Sequence, residues 1–144
     1  MGMRLGRLLQ KGDLICLVGE LASGKTTLVQ GVTNGWGSLD RATSPTFVLV
    51  NVYRHPNGDQ LFHLDAYRLS GASEAMDLDL DAMLEKGPLL VEWADRIADA
   101  LPDEYLKINF SYVAIGQRDL IFNAVGQRSH ALLAVLRKQI YGVS

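Results

Sequence analysis

Eight residues set the chemistry this chain can do. Gly19-Glu20-Leu21-Ala22-Ser23-Gly24-Lys25-Thr26 follows the pattern G-x-x-x-x-G-K-[ST] of a phosphate-binding loop. Such a loop wraps backbone N–H groups around a β-phosphate, and the N-terminus of the following helix adds positive potential. Gly19 and Gly24 allow an approach that a Cβ would obstruct. Lys25 can reach the β- and γ-phosphates as a point charge, the Thr26 hydroxyl can ligate Mg²⁺, and Thr27 continues the motif. A chance match in 144 residues of ordinary composition has odds on the order of one in a hundred or less. The flanks lower those odds: Leu14-Ile15-Cys16-Leu17-Val18 reads as a buried strand, and Thr27-Leu28-Val29-Gln30-Gly31-Val32 can open a helix.

A phosphate loop needs an acid at the end of a neighbouring strand, to hold the cation or its water and to orient the attacking group. Two segments have the form of an apolar strand ending in an acid, Leu61 to Asp65 and Leu89 to Glu92. Alternation places Leu61, His63 and Asp65 on one face. Asp65 and Glu92 are therefore the candidate metal and catalytic carboxylates, and the division of labour between them stays open. Ser44-Pro45-Thr46 stands where nucleotide hydrolases carry switch loops, so the Thr46 hydroxyl is a candidate for the cation or the γ-phosphate; a strand-initiating turn is the plainer reading. His63 reads as a core or partner-contact residue rather than a proton carrier. Trp93 reads as packing over the site or filling the core, and Arg54, Arg68 and Arg96 as candidate phosphate or RNA contacts, though a solvated or salt-bridged surface arginine is the commoner case. His55 falls in a hairpin loop and His130 on the last helix.

The elements that must position these residues follow from periodicity. Met3 to Gln10 has helical spacing and ends at Lys11-Gly12; the helix after the loop fades where Asn34-Gly35-Trp36-Gly37 crowd. Thr46 to Tyr53 and Leu61 to Asp65 flank Asn57-Gly58 and predict an antiparallel hairpin. Helical turns are expected from Ser73-Glu74, over Asp81–Glu85, and from Ala94 to Ala100. Leu89-Leu90-Val91 is a short buried strand. Tyr105 to Val113 and Asp119 to Val125 pair across Gly116-Gln117-Arg118, and Ser129 caps a final amphipathic helix. The order predicts an α/β three-layer fold of the phosphate-loop type, a mixed parallel and antiparallel sheet with helices on both faces, in one domain over residues 1–144. Net charge is −2 and charged residues are 21%, so no global basic field draws the chain to nucleic acid. The single Cys16 excludes an internal disulfide and reads as a small core residue. With no apolar run of membrane-spanning length and no signal peptide, a cytoplasmic protein is expected.

Four blocks in order carry a resemblance over about Leu5 to Phe110: the loop through Thr27, Ser44-Pro45-Thr46-Phe47, His63-Leu64-Asp65-Ala66-Tyr67-Arg68-Leu69, and Val91-Glu92-Trp93. Together they resemble the TsaE (YjeE) family of small bacterial ATPases. The resemblance implies a role in forming threonylcarbamoyladenosine at position 37 of tRNAs that read codons beginning with A. It implies a TsaB–TsaD pair as partner, tRNA through or beside that pair, and ATP and Mg²⁺ as cofactors. It implies a monomer when free, slow hydrolysis alone, and stimulation that permits repeated turnover. Glu20, Leu21, Ala22, Ser23, Lys25 and Thr26 would bind the nucleotide, Thr46 would sit in a switch-like loop, Asp65 and Glu92 would serve the metal or the attacking water, and Trp93 would lie beside the nucleotide. The chain departs from the family at Ala22 and Ser23, where glycine and alanine are usual, so Ala22 is expected in a loop conformation that suits glycine. Its N-terminal segment is also shorter than is common.

Two other uses of the loop compete. One is a small-molecule kinase, which the absence of an arginine-rich lid disfavours. The other is a nucleotide-dependent interaction module that does not hydrolyse, which Asp65 and Glu92 disfavour. A GTPase is disfavoured because no Asn-Lys-x-Asp motif occurs.

Overall fold

A computed structural model describes residues 2–19, 22–38, 40, 50–69, 71–114 and 117–141. Its elements are α1 (Gly2–Leu8), β1 (Leu14–Gly19), α2 (Ala22–Trp36), β2 (Val50–Arg54), β3 (Gln60–Asp65), α3 (Ala72–Met76), α4 (Leu80–Lys86), β4 (Leu89–Glu92), β5 (Tyr105–Ala114), β6 (Gln117–Val125) and α5 (Gln127–Tyr141). Two 3₁₀ segments, Ala66–Arg68 and Ala94–Ala100, follow β3 and β4. The strands form one six-stranded sheet in the order β2-β3-β4-β1-β5-β6. The inner four are parallel, while β2 and β6 run antiparallel at the two edges.

Alternation along the strands builds two cores. On one face Ile15, Leu17, Leu61, Leu90, Leu106 and Ile108 meet α1, α2 and α5 through Leu5, Leu28, Val32, Leu132 and Leu136. On the other, Leu14, Cys16, Leu64, Leu89 and Val91 meet Ala75, Leu80 and Ile97. The inner strands are covered on both sides, which is why β4 is apolar from Leu89 to Val91 without a polar alternate.

The hairpin forms as expected. The Gly58 N–H donates to His55 O at 2.9 Å, and the Asn57 side chain braces the turn by donating from Nδ2 to Asp59 Oδ2 and accepting the Asp59 N–H at Oδ1. Residues 46–49 of the expected first strand lie outside the described residues. Three expectations shift. Gln117 and Arg118 are strand, not turn: they pair with Ala114 and Tyr112, so their backbone groups are satisfied by the ladder. The last helix starts at Gln127 rather than behind a Ser129 cap, since Gly126 O already accepts the His130 N–H at 3.1 Å and Ser129 is buried in the first turn. The segment from Ala94 is 3₁₀ and leaves helical geometry at Ile97, whose side chain is fully buried under the sheet.

Candidate functional site

The C-terminal ends of the parallel strands are where α/β sheets bind ligands. Here β1 ends at Gly19 and α2 opens at Ala22. Gly19 has φ +125°, and a Cβ there would lie 2.4 Å from Phe110 O on β5, so both its backbone conformation and its neighbour require glycine. The helix begins five residues earlier than Thr27, taking in Ala22, Ser23, Gly24, Lys25 and Thr26. This corrects the expectation for Ala22, which is the first helical residue, a place that suits alanine. The first-turn N–H groups of α2 have no intrahelical partners and form the positive end of the helix. Glu20, Leu21 and Thr46 lie outside the described residues.

The two acids arrive at this end together. Asp65 closes β3, Glu92 closes β4, and they are register partners. Glu92 is also the partner of Leu17 on β1, two residues before Gly19. Both candidate carboxylates thus stand on the two strands that follow β1 across the sheet. Their surroundings differ. One Asp65 oxygen accepts the Tyr67 N–H at 3.0 Å and caps the first 3₁₀ segment. Glu92 Oε2 lies 2.6 Å from His63 Nε2, and the glutamate side chain is only 13% exposed. His63 is 1% exposed, and its Nδ1 lies 3.3 Å from the Tyr53 hydroxyl on β2. His63 is a core residue, as its place on the strand indicated. Tyr53, 10 residues away, stands across the expected hairpin; Glu92, 29 residues away, was not legible as a partner, because it meets His63 only through the pairing of β3 with β4.

Trp93 follows Glu92 at φ 58°, ψ 39°, a left-handed conformation that costs a non-glycine residue roughly 1–2 kcal/mol. Its N–H donates to Leu17 O at 3.0 Å, which ties the turn after β4 to β1. Its ring lies 5.1 Å from Tyr67, and Arg96 lies over the other ring's system at 5.4 Å while donating to Leu69 O. Arg96 is thereby engaged within the fold. Arg54 is held by both oxygens of Asp40, whose carboxyl the arginine keeps below its ordinary value. His55 packs edge-on against Trp36 in the hairpin loop, and His130 Nδ1 lies 2.8 Å from Gly126 O.

A mixed sheet with a parallel centre, the glycine motif after β1 and two acids in register on the strands beside it defines a phosphate-loop nucleotide protein of the α/β class. The family model for the threonylcarbamoyl adenosine biosynthesis protein TsaE matches residues 1–120. The chain belongs to the TsaE family. It is 46% identical over 112 residues to the tRNA threonylcarbamoyladenosine biosynthesis protein TsaE of Streptomyces coelicolor, covering 75% of this chain and 74% of that one. It is 38% identical over 128 residues to the protein of the same name from Bacillus subtilis, covering 88% and 79%. The crystal structure of Bacillus subtilis YdiB superposes with a TM-score of 0.78 at 31% identity, covering 96% of this chain and 86% of that one. Family membership implies nucleotide binding. No helix among the described residues is long and apolar enough to cross a membrane.

Proposed function

We propose that this protein is a Mg²⁺-dependent ATP hydrolase that serves formation of the threonylcarbamoyl group on adenosine 37 of tRNAs reading codons that begin with A. The observation that carries the hydrolase reading is the register of Asp65 and Glu92 beside the strand that feeds the phosphate loop. The role in tRNA modification rests on the family and on the function its relatives are named for. The oxygen donors Thr26, Asp65 and Glu92 fit a hard cation that takes one or two carboxylates, waters and phosphate oxygens. Mg²⁺, when bound, neutralises charge on the β- and γ-phosphates. Lys25 and the first-turn amides of α2 bind and orient the phosphates. Glu92, half-buried and fixed, orients the attacking water. Asp65 serves the metal while capping the turn that carries Tyr67. Thr46 acts in the switch-like loop, and Trp93 lies against the nucleotide. Catalysis is then positioning and charge neutralisation of an in-line attack. Turnover is slow for the free monomer and rises with the TsaB–TsaD pair and tRNA in the cytoplasm.

The test follows the γ-phosphate of labelled ATP. The protein alone should release inorganic phosphate slowly, and the rate should rise with TsaB–TsaD and tRNA. Lys25→Ala should impair nucleotide binding. Glu92→Gln should keep binding and lower turnover by roughly a hundredfold or more, the scale of removing a group that acts on the transition state. Label passing to a small molecule would identify a kinase instead, and tight binding without release under any condition would identify a non-hydrolysing module.

A further inference from the structure

Tyr53, His63 and Glu92 form a row across three adjacent strands, β2, β3 and β4, on the face of the sheet that α2 covers. Tyr53 and His63 are 3% and 1% exposed. Their rings are nearly parallel, 26° apart with centroids at 6.2 Å. A polar ring buried this far is costly unless its nitrogens are bonded, and both are. The register shows what the bonds do. His63 is the partner of Leu90, one pleat deeper than Glu92, so its ring reaches along the strand to the acid at the strand's end. A carboxylate offers only lone pairs, so the nitrogen facing it carries the proton. His63 Nε2–H therefore donates to Glu92 Oε2, and the Tyr53 hydroxyl shares a hydrogen bond with Nδ1. Among the described residues His63 is the one hydrogen-bond partner of the Glu92 carboxylate, and the bond takes Oε2 and not Oε1.

We infer that His63 is a positioning residue for Glu92: it clamps one carboxylate oxygen so that the other is presented to the site in a single orientation, with Tyr53 fixing the ring that does so. This rests on the reading of Glu92 as the residue that orients water. A glutamate has three side-chain torsions and wanders unless held. A clamp of two rigid rings, themselves packed among Leu61 and Leu90, removes that freedom before substrate arrives.

The test separates positioning from packing. His63→Leu should lower kcat for ATP hydrolysis roughly 10- to 100-fold, the usual cost of losing a partner that orients a functional ligand. KM and the dissociation constant for nucleotide should change by less than about threefold, as befits an interaction felt only in the transition state. His63→Gln, whose amide nitrogen can stand in for Nε2, should recover most of kcat. In a Glu92→Gln background, His63→Leu should cost nothing further. Nitrogen-15 NMR of the wild-type protein supplies a readout that needs neither activity nor a variant: His63 Nε2 should carry the proton. An unprotonated Nε2 overturns the clamp outright, and so does a folded His63→Leu protein with wild-type kcat while Glu92→Gln is inactive; that last result leaves the hydrolase reading standing. If Glu92→Gln hydrolyses ATP like the wild type, the reading of Glu92 fails and the inference falls with it. If folded His63→Gln is as slow as His63→Leu, the residue serves packing alone. Tyr53→Phe keeps the ring and should lower kcat about 3- to 10-fold, a smaller share of the same effect.

Discussion

Cys16 stands in mid-strand between Ile15 and Leu17, 2% exposed, on the face covered by α3 and α4. Burial pushes its thiol from an ordinary value of 9.0 up to about 12, against a smaller opposing pull from the Lys107 ammonium. The nucleophile is the thiolate, so the folded protein should resist alkylation. Iodoacetamide at pH 8 should label the native chain at least about a hundredfold more slowly than the guanidinium-unfolded chain, read by mass spectrometry. The sign for stability follows. The unfolded thiol ionises near 9.0 and the folded one near 12, so the contribution is full below 9.0 and is lost progressively as pH rises toward 12. Replacing Cys16 with alanine should flatten that decline in alkaline urea titrations. The core role of this residue was legible from its neighbours alone. The hairpin set Tyr53 beside the strand of His63, but the reach of His63 to Glu92 was not legible, because alternation tells which face a side chain occupies and not that β4 lies beside β3.

At the scale of elements, the crossing of α1 and α2 shows where local propensity misleads. Gly31 and Gly35 lower helix propensity, and the run Asn34 to Gly37 predicted a fading end. The helix does end inside that run, at Trp36 with Gly37 at φ +100°, but it carries both glycines in its body. The reason is tertiary: a Cβ on Gly35 would lie 2.0 Å from Met3 O, and one on Gly6 would lie 2.1 Å from Val32 O. The two helices touch backbone to backbone, and Leu5 and Val32 are buried to 0% and 1% exposure at the crossing. Gly35→Ala should therefore destabilise by about 1–3 kcal/mol, although alanine is intrinsically the better helix former by about 1 kcal/mol. The exposed neighbour is the control: Asn34→Ala should stay within about 0.5 kcal/mol of wild type in chemical denaturation. Equal midpoints for the two variants would mean that the helices can separate without cost.

At the scale of the molecule, chain order foretold most of the sheet. Strands that follow helices, at Leu14 and Leu89, were expected parallel, and the hairpin around Asn57-Gly58 and the late pair antiparallel; the structure adds the order, with the hairpin at one edge and the late pair at the other. What order cannot reveal is how the first and last helices are joined. That joint is polar. Asp13, 5% exposed, accepts the Gln10 N–H at 2.7 Å, and its two oxygens accept Arg128 Nε and Nη2 at 2.9 Å each. Arg128 Nη2 also donates to Leu8 O at 2.8 Å, so one guanidinium binds the end of α1, the entry to β1 and the start of α5. Hydrogen bonding to Asp13 raises the arginine's pKa further, so its charge is constant over any working pH. Arg128→Ala leaves a carboxylate that is 3% exposed, with the Gln10 N–H as its one remaining donor among the described residues, and should cost about 2–3 kcal/mol in urea unfolding, discounted from a fully buried pair because the arginine side chain is 41% exposed. Arg128→Lys should recover little, since an ammonium cannot hold two carboxylate oxygens and a carbonyl in one plane. An unchanged midpoint for Arg128→Ala would mean that Leu5, Leu132 and Leu136 hold the two helices by apolar contact alone, and that the arginine serves only to keep Asp13 soluble in the fold.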